Sequence, residues 1–193
     1  MRKVAVIASA SGCGKTTVGR LLATRLGVPF VELDALNHGP GWTEATAEQL
    51  RAHVAPIVAT DGWVIDGGYR GKLGDLVLEA ADTVVWLDLP RREWLPRLFR
   101  RTVRRIVRRE ELWGGNRESF GNAFLMRDGL LRFAWRNYGV RRATYPSELA
   151  RFHLVRLRSQ REVDAWLGAI RPVLLNADEG ARPPALPAPR AGP

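Results

Sequence analysis

The sequence has little of what cross-links, anchors or tags a protein. Its one cysteine, Cys13, cannot form an internal disulfide, so a reducing compartment, the cytoplasm, is expected. No apolar run approaches the roughly 20 residues of a membrane-spanning helix, so no membrane partner is expected. There is no Asn-Lys-x-Asp guanine signature, which disfavours a GTPase switch, and no internal repeat. Nothing supplies an aromatic stacking platform or a groove-reading motif for nucleic acid. Lysine is scarce too. Lys3, Lys15 and Lys72 are the lysines among 30 basic residues, so the net charge of +10 belongs to arginine. Arginine favours bidentate contact with phosphate.

What is present is a chain of 193 residues, 46% hydrophobic and 26% charged, long enough for one core and short for two full domains. Apolar runs alternate with helical patterns in the order of a parallel sheet with crossover helices, so the expected class is α/β with five parallel strands sandwiched by helices. Strands are expected near 3–8, 30–34, 63–66, 83–88 and 152–157, and helices over roughly 15–26, 44–59, 71–80, 91–110, 122–142 and 160–171. Pro29, Gly39-Pro40-Gly41, Gly62 and Pro90 punctuate these elements as turn residues. One domain is expected over 1–175. The stretch 176–193, ending ARPPALPAPRAGP, is read as a disordered tail because its composition buries too little apolar surface to order itself.

The run SASGCGKTT, Ser9 to Thr17, follows an apolar stretch and opens onto a helical pattern, which is the setting of a phosphate-binding loop. Backbone N–H groups in such a glycine-rich turn point at a polyphosphate, and the helix N-terminus adds its positive dipole end. Gly12, Cys13, Gly14, Lys15, Thr16 and Thr17 form the expected cradle. Lys15 reaches the β- and γ-phosphates in this reading, and the Thr16 hydroxyl ligates Mg²⁺. Ser9 departs from the pattern, standing where GxxxxGK[ST] has glycine. Cys13 is open to two readings, a thiol activated at a helix N-terminus or a small residue tolerated in the loop. The N-terminus MRKVAVIASASG imitates a signal peptide, but cleavage there would destroy the loop.

At the carboxyl edge of such a sheet the strand ends share one crevice, so acidic residues there carry weight. Asp34, Asp66 and Asp88 are read as ending the second, third and fourth strands. A phosphotransferase needs one carboxylate for Mg²⁺ and often another to orient the acceptor. Asp66 is assigned to the metal and Asp34 to the acceptor, while Asp88, near Pro90, reads as turn chemistry. Arg97, Arg100, Arg101, Arg104, Arg105, Arg108 and Arg109 share one helical face, with Leu98, Phe99, Val103, Ile106 and Val107 on the other. The distal arginines read as a solvated face, and Arg97 and Arg101 as phosphate ligands. WGGNRESF, Trp113 to Phe120, then breaks the helix, offers Arg117 and suits a lid, about residues 108–122.

With these residues in place, the chain resembles the adenylate-kinase-like P-loop kinases over about residues 3–170, and most closely the group labelled topology modulation proteins. The run Asp66-Gly67-Gly68-Tyr69-Arg70 is similar to the family's Asp-Gly-x-x-Arg, whose arginine grips the acceptor phosphate. Counting from Pro90, Arg97 and Arg101 match the family's arginine pair. The resemblance implies a P-loop NTPase fold of the nucleoside-monophosphate-kinase type, Arg97 near the adenine, Arg101 near the phosphates, and Arg158 and Ser159 flanking the base. Asn37 stands where the family's Asp-x-x-Arg has its arginine, so one phosphate grip is missing.

The expected function is transfer of the γ-phosphoryl of ATP, with Mg²⁺, to a small acceptor, a nucleotide or a hydroxylated metabolite. Lys15, Asp34 and Arg101 are its catalytic residues. Thr16 and Asp66 organise the metal; Asp34, Arg70 and Arg117 hold the acceptor; and Asp34 with His38 suits hydroxyl groups. The alternative is a nucleic-acid-associated P-loop NTPase whose arginine stripe binds phosphate backbone.

Overall fold

The structure, a computed structural model, describes residues 1–121 and 129–173. The strands among these residues are β1 (Lys3–Ala8), β2 (Phe30–Glu32), β3 (Trp63–Asp66), β4 (Thr83–Leu87) and β5 (Leu154–Leu157). They form one parallel sheet in the order β2-β3-β1-β4-β5. β1 lies at its centre, and Val4, Val6 and Ala5 are wholly buried, as expected for a parallel strand covered on both faces. Each of the two valine side chains contributes about 1.5–3 kcal/mol relative to exposure.

The helices are α1 (Lys15–Leu26), α2 (Leu33–Asn37), α3 (Ala47–Val58), α4 (Arg70–Leu73), α5 (Leu76–Ala80), α6 (Arg91–Val107), α7 (Leu130–Glu148) and α8 (Gln160–Ala169). One apolar layer joins β1, β4 and β5 to α1, α6, α7 and α8. The other joins the opposite face to α3, α4 and α5. Local chemistry sets several ends. Gly27 closes α1 in the left-handed region, its N–H returning to Ala23 and Thr24. Thr46 and Gln49 form a reciprocal capping box that starts α3. Ser159 caps α8 by accepting from the Glu162 N–H.

Four expectations need correction. The second strand is shorter than 30–34. Leu33 and Asn37, four apart and both buried, present one helical face inward, so the chain enters α2 directly and Asp34 lies in a helical first turn. The helix expected over 71–80 is two, because Gly74, at φ 62 and ψ −138, interrupts it. On α6 the inward residues are Trp94, Leu98 and Thr102. Phe99 is 49% exposed and Val107 75%, so the apolar face lies about a quarter-turn from the expected one. The helix expected over 122–142 is observed as α7, which runs to Glu148 through Pro146. Its expected residues 122–128 and the expected tail lie outside the described residues.

Candidate functional site

β1 ends at Ala8, and the loop to α1 sits at the carboxyl edge beside β3 and β4. Gly12, at φ 87, packs against α6 so closely that a Cβ there would stand 2.8 Å from the Trp94 carbonyl oxygen. Gly14, at φ 89, faces open space above the loop and precedes the first turn of α1. Ser9 accommodates its departure by joining a buried network. Its Oγ accepts from Trp86 Nε1 at 2.9 Å and donates to Asp88 Oδ1 at 2.8 Å. Asp88 therefore does more than close a turn. It is 1% exposed and ion-paired with Arg156 at 2.6 Å and Arg142 at 2.9 Å. Cys13 is 2% exposed, and burial pushes its thiol pKa up, opposite to activation, so it is a packed small residue.

Lys15, Thr16 and Asp66 meet in front of the loop. Thr16 Oγ1 lies 2.6 Å from Asp66 Oδ2, and Lys15 Nζ lies 3.3 Å from Asp66 Oδ1. Burial works against the Lys15 charge, but Asp66 and Asp34 more than offset it, so its pKa is raised. Sequence reasoning missed Glu32, which lies 3.4 Å from Thr16 Oγ1. Its pKa is raised by burial, then by Asp66 and Asp34 nearby. A hydroxyl and clustered carboxylates are hard oxygen donors, suited to Mg²⁺.

A cavity of about 850 Å³ extends from Lys15 and Thr16 past Asp34, Tyr69 and Arg101 to α7. Arg101 lines it with its Nε buried and unpartnered. Burial and then the neighbouring Arg105 depress the Arg101 pKa, so the guanidinium gains from any anion placed beside it. Tyr69 donates to Asp34 Oδ1 at 2.6 Å. Arg141, on α7, also lines the cavity and donates to the Ala8 carbonyl at 3.1 Å. Neither Tyr69 nor Arg141 carried a signal beyond the motif and the helix that hold them.

Other expected ligands are committed elsewhere. Arg70 lines the cavity but bonds Asp75 at 2.6 Å and also pairs with Glu148. Asn37 is 1% exposed, and its Oδ1 accepts from Lys72 at 2.7 Å. Lys72 also holds Glu44 at 2.7 Å. Arg117 does not reach the cavity. In the extended segment after Gly115 it points out and pairs with Glu111 at 2.6 Å, while its neighbours Asn116 and Glu118 turn inward. Thr17 is exposed on α1. Arg97 bonds Gln160 at 2.8 Å, beside exposed Arg158 and the Ser159 cap, so the groups assigned to the base are neighbours outside the cavity.

Two short 3-10 turns, Pro40–Trp42 and Trp113–Gly115, border the cavity through Trp42 and Trp113. Asn116 Oδ1 accepts from the Trp42 N–H at 2.9 Å, and its Nδ2 donates to Gly39 at 2.8 Å. A Cβ on Gly114 would stand 2.7 Å from the Gly39 carbonyl carbon, so glycine is required for this approach. His38 stacks on Trp113 at 5.8 Å and meets Trp42 edge-on at 5.6 Å. The arginine stripe is partly neutralised within the molecule, Arg104 by Glu110 and Arg105 by Glu118.

A family model described as shikimate kinase matches residues 11–38. The chain is 42% identical over 76 residues to a shikimate kinase of Symbiobacterium thermophilum, covering 39% of this chain and 37% of the relative. It is 47% identical over 55 residues to shikimate kinase 2 of Dickeya chrysanthemi, covering 28% and 26%. The chain thus spans little more than a third of the length of the first relative. Among solved structures it is similar to shikimate kinase from Acinetobacter baumannii in complex with shikimate, with a TM-score of 0.52 and 18% identity over 86% of this chain and 89% of that one. That likeness shows the fold, a P-loop kinase fold. No helix of the described residues is long and apolar enough to cross a membrane.

Proposed function

We propose that the protein is an ATP-dependent kinase that phosphorylates a hydroxyl group of a small acceptor. The observation that carries this reading is the convergence of Lys15, Thr16 and Asp66 in front of the loop with Asp34 in the same cavity. Thr16 and Asp66 would hold Mg²⁺, which when bound neutralises phosphate charge. Lys15 and Arg101 would stabilise charge on the transferring phosphoryl group, and Asp34 would take the proton of the attacking hydroxyl. The likeness to adenylate-kinase-like kinases in the run from Asp66 to Arg70, and to topology modulation proteins among them, is part of this proposal. So are a domain ending near 175 and a lid over about 108–122.

The acceptor we infer is polyhydroxylated and carries no phosphate. The Arg70 and Lys72 charges are already held by carboxylates. Arg141 is bonded to a backbone carbonyl, which leaves room for one carboxylate on the acceptor. An additional arginine at position 37 would contribute roughly 1.5–3 kcal/mol to holding an acceptor phosphate, about tenfold to a hundredfold in binding. The test is ADP formation from ATP and Mg²⁺ with AMP, nucleosides, hexoses, cyclic polyols and hydroxy acids. Turnover with a hydroxylated acceptor and little with AMP is expected. Robust AMP kinase activity, unaffected by Asp34→Asn, would overturn the reading.

A further inference from the structure

The Asp34 carboxylate has two oxygens, and the protein commits one of them. Tyr69 Oη donates to Oδ1 at 2.6 Å, a short charge-assisted bond. Asp34 comes from the first turn of α2, and Tyr69 from the turn between β3 and α4. Both line the cavity that holds Lys15 and Thr16. Tyr69 reaches this place at φ 43 and ψ 38, a left-handed conformation that costs a bulky residue on the order of 1–2 kcal/mol. Such backbone persists where the surroundings over-determine it, and it clusters at functional sites. Gly67, at φ 108, turns the chain ahead of it through a backbone region that favours glycine.

Two neighbours support a fixed role for the hydroxyl. His38 Nε2 stands 3.5 Å from Tyr69 Oη, and its ring is braced on Trp113. Burial, and then the Asp34 charge, raise the phenol pKa, so Oη keeps its proton and remains a donor.

We propose that Tyr69 is a positioning residue that occupies Asp34 Oδ1, leaves Oδ2 to take the acceptor proton, and so selects which hydroxyl of a polyhydroxylated acceptor is phosphorylated. This rests on the kinase reading given above. In the step, the acceptor O–H bond breaks and its proton passes to Oδ2. The acceptor oxygen bonds the γ-phosphorus as the bond to the bridging oxygen breaks, and ADP leaves with that electron pair. With Oδ1 free, the carboxylate can turn, and hydroxyls at other ring positions gain access to it.

The experiment compares wild type with Tyr69→Phe, using ATP and whichever of D-glucose, myo-inositol, D-ribose, adenosine or the polyhydroxylated acids D-gluconate and quinate the wild type turns over fastest. Phosphorus NMR reads the product position. The expected result is a kcat at least tenfold lower, a KM for ATP within twofold, and a second positional isomer. Unchanged kcat with a single product would overturn the positioning role. A second measurement needs no turnover: the ¹³Cγ resonance of Asp34 in the acceptor-free protein should move in Tyr69→Phe, and an unmoved resonance would show that the bond is absent. If the wild type phosphorylates none of these acceptors, the kinase reading fails and takes this role with it. Turnover that Tyr69→Phe leaves intact sinks the positioning role alone.

Discussion

Restoring the consensus glycine in the phosphate loop should harm this protein. In Ser9→Gly, the Trp86 indole N–H loses its acceptor at 2.9 Å, and Trp86 is wholly buried. Asp88 loses a donor at 2.8 Å, though it keeps Arg156 and Arg142. An orphaned buried donor costs about 1–3 kcal/mol, and a hydrogen bond to a charged group contributes about 1.5–3. Because the two arginines remain, the second loss is only partial. Glycine adds roughly 0.5–1 kcal/mol of unfolded-state entropy. The sum is about 2–4 kcal/mol, which for a chain of this size is roughly 4–16 °C in melting temperature. The assay is thermal unfolding followed by circular dichroism, with Ser9→Ala as the companion that removes the hydroxyl without the backbone effect. Both variants should melt lower, glycine the lower of the two. A glycine variant as stable as wild type would refute the network account of Ser9.

Two further perturbations follow from the two 3-10 turns and the metal side. Asn116→Ala removes the bonds to Trp42 and Gly39, so amide exchange over residues 39–43 should speed up by about tenfold or more, at roughly 1 kcal/mol per bond; unchanged exchange would show that the turns are held by other contacts. Glu32→Gln should stabilise the protein at neutral pH. The Glu32 pKa is raised in the folded state, so its contribution is fully present below the ordinary value of 4.5 and is lost as pH rises through the folded value. The gain in melting temperature should therefore appear above pH 4.5 and vanish below it; a gain that grows on acidification would contradict the sign.

The loop, the sheet and Asp66 were legible because each has a short-range signature. An apolar β-branched run, a glycine turn and a helix are contiguous in sequence, and Asp66 ends its strand by periodicity. The same rule points to Asp34, yet its helix depends on Leu33 and Asn37 finding buried space, which only tertiary packing decides. Glu32, Tyr69 and Arg141 were illegible for a related reason. Their place beside Thr16, Asp34 and Ala8 comes from contacts 16, 35 and 133 residues apart. The arginine stripe misled in its details because a helical wheel gives a face, while the carboxylates that pair with it lie on other elements. Asp88 looked like turn chemistry for want of Ser9 and Arg156, both far away in sequence.

The most direct test of the central claim is acceptor-dependent ADP formation by wild type and Lys15→Ala in parallel, with thermal unfolding as the control. Lys15 lies 3.3 Å from Asp66, and the proposed function has it stabilise charge on the transferring phosphoryl group. The account predicts a loss of about 10³-fold or more in turnover, comparable to the removal of other groups that stabilise phosphoryl transfer, with melting changed by only a few degrees. Equal turnover by the two proteins would contradict it.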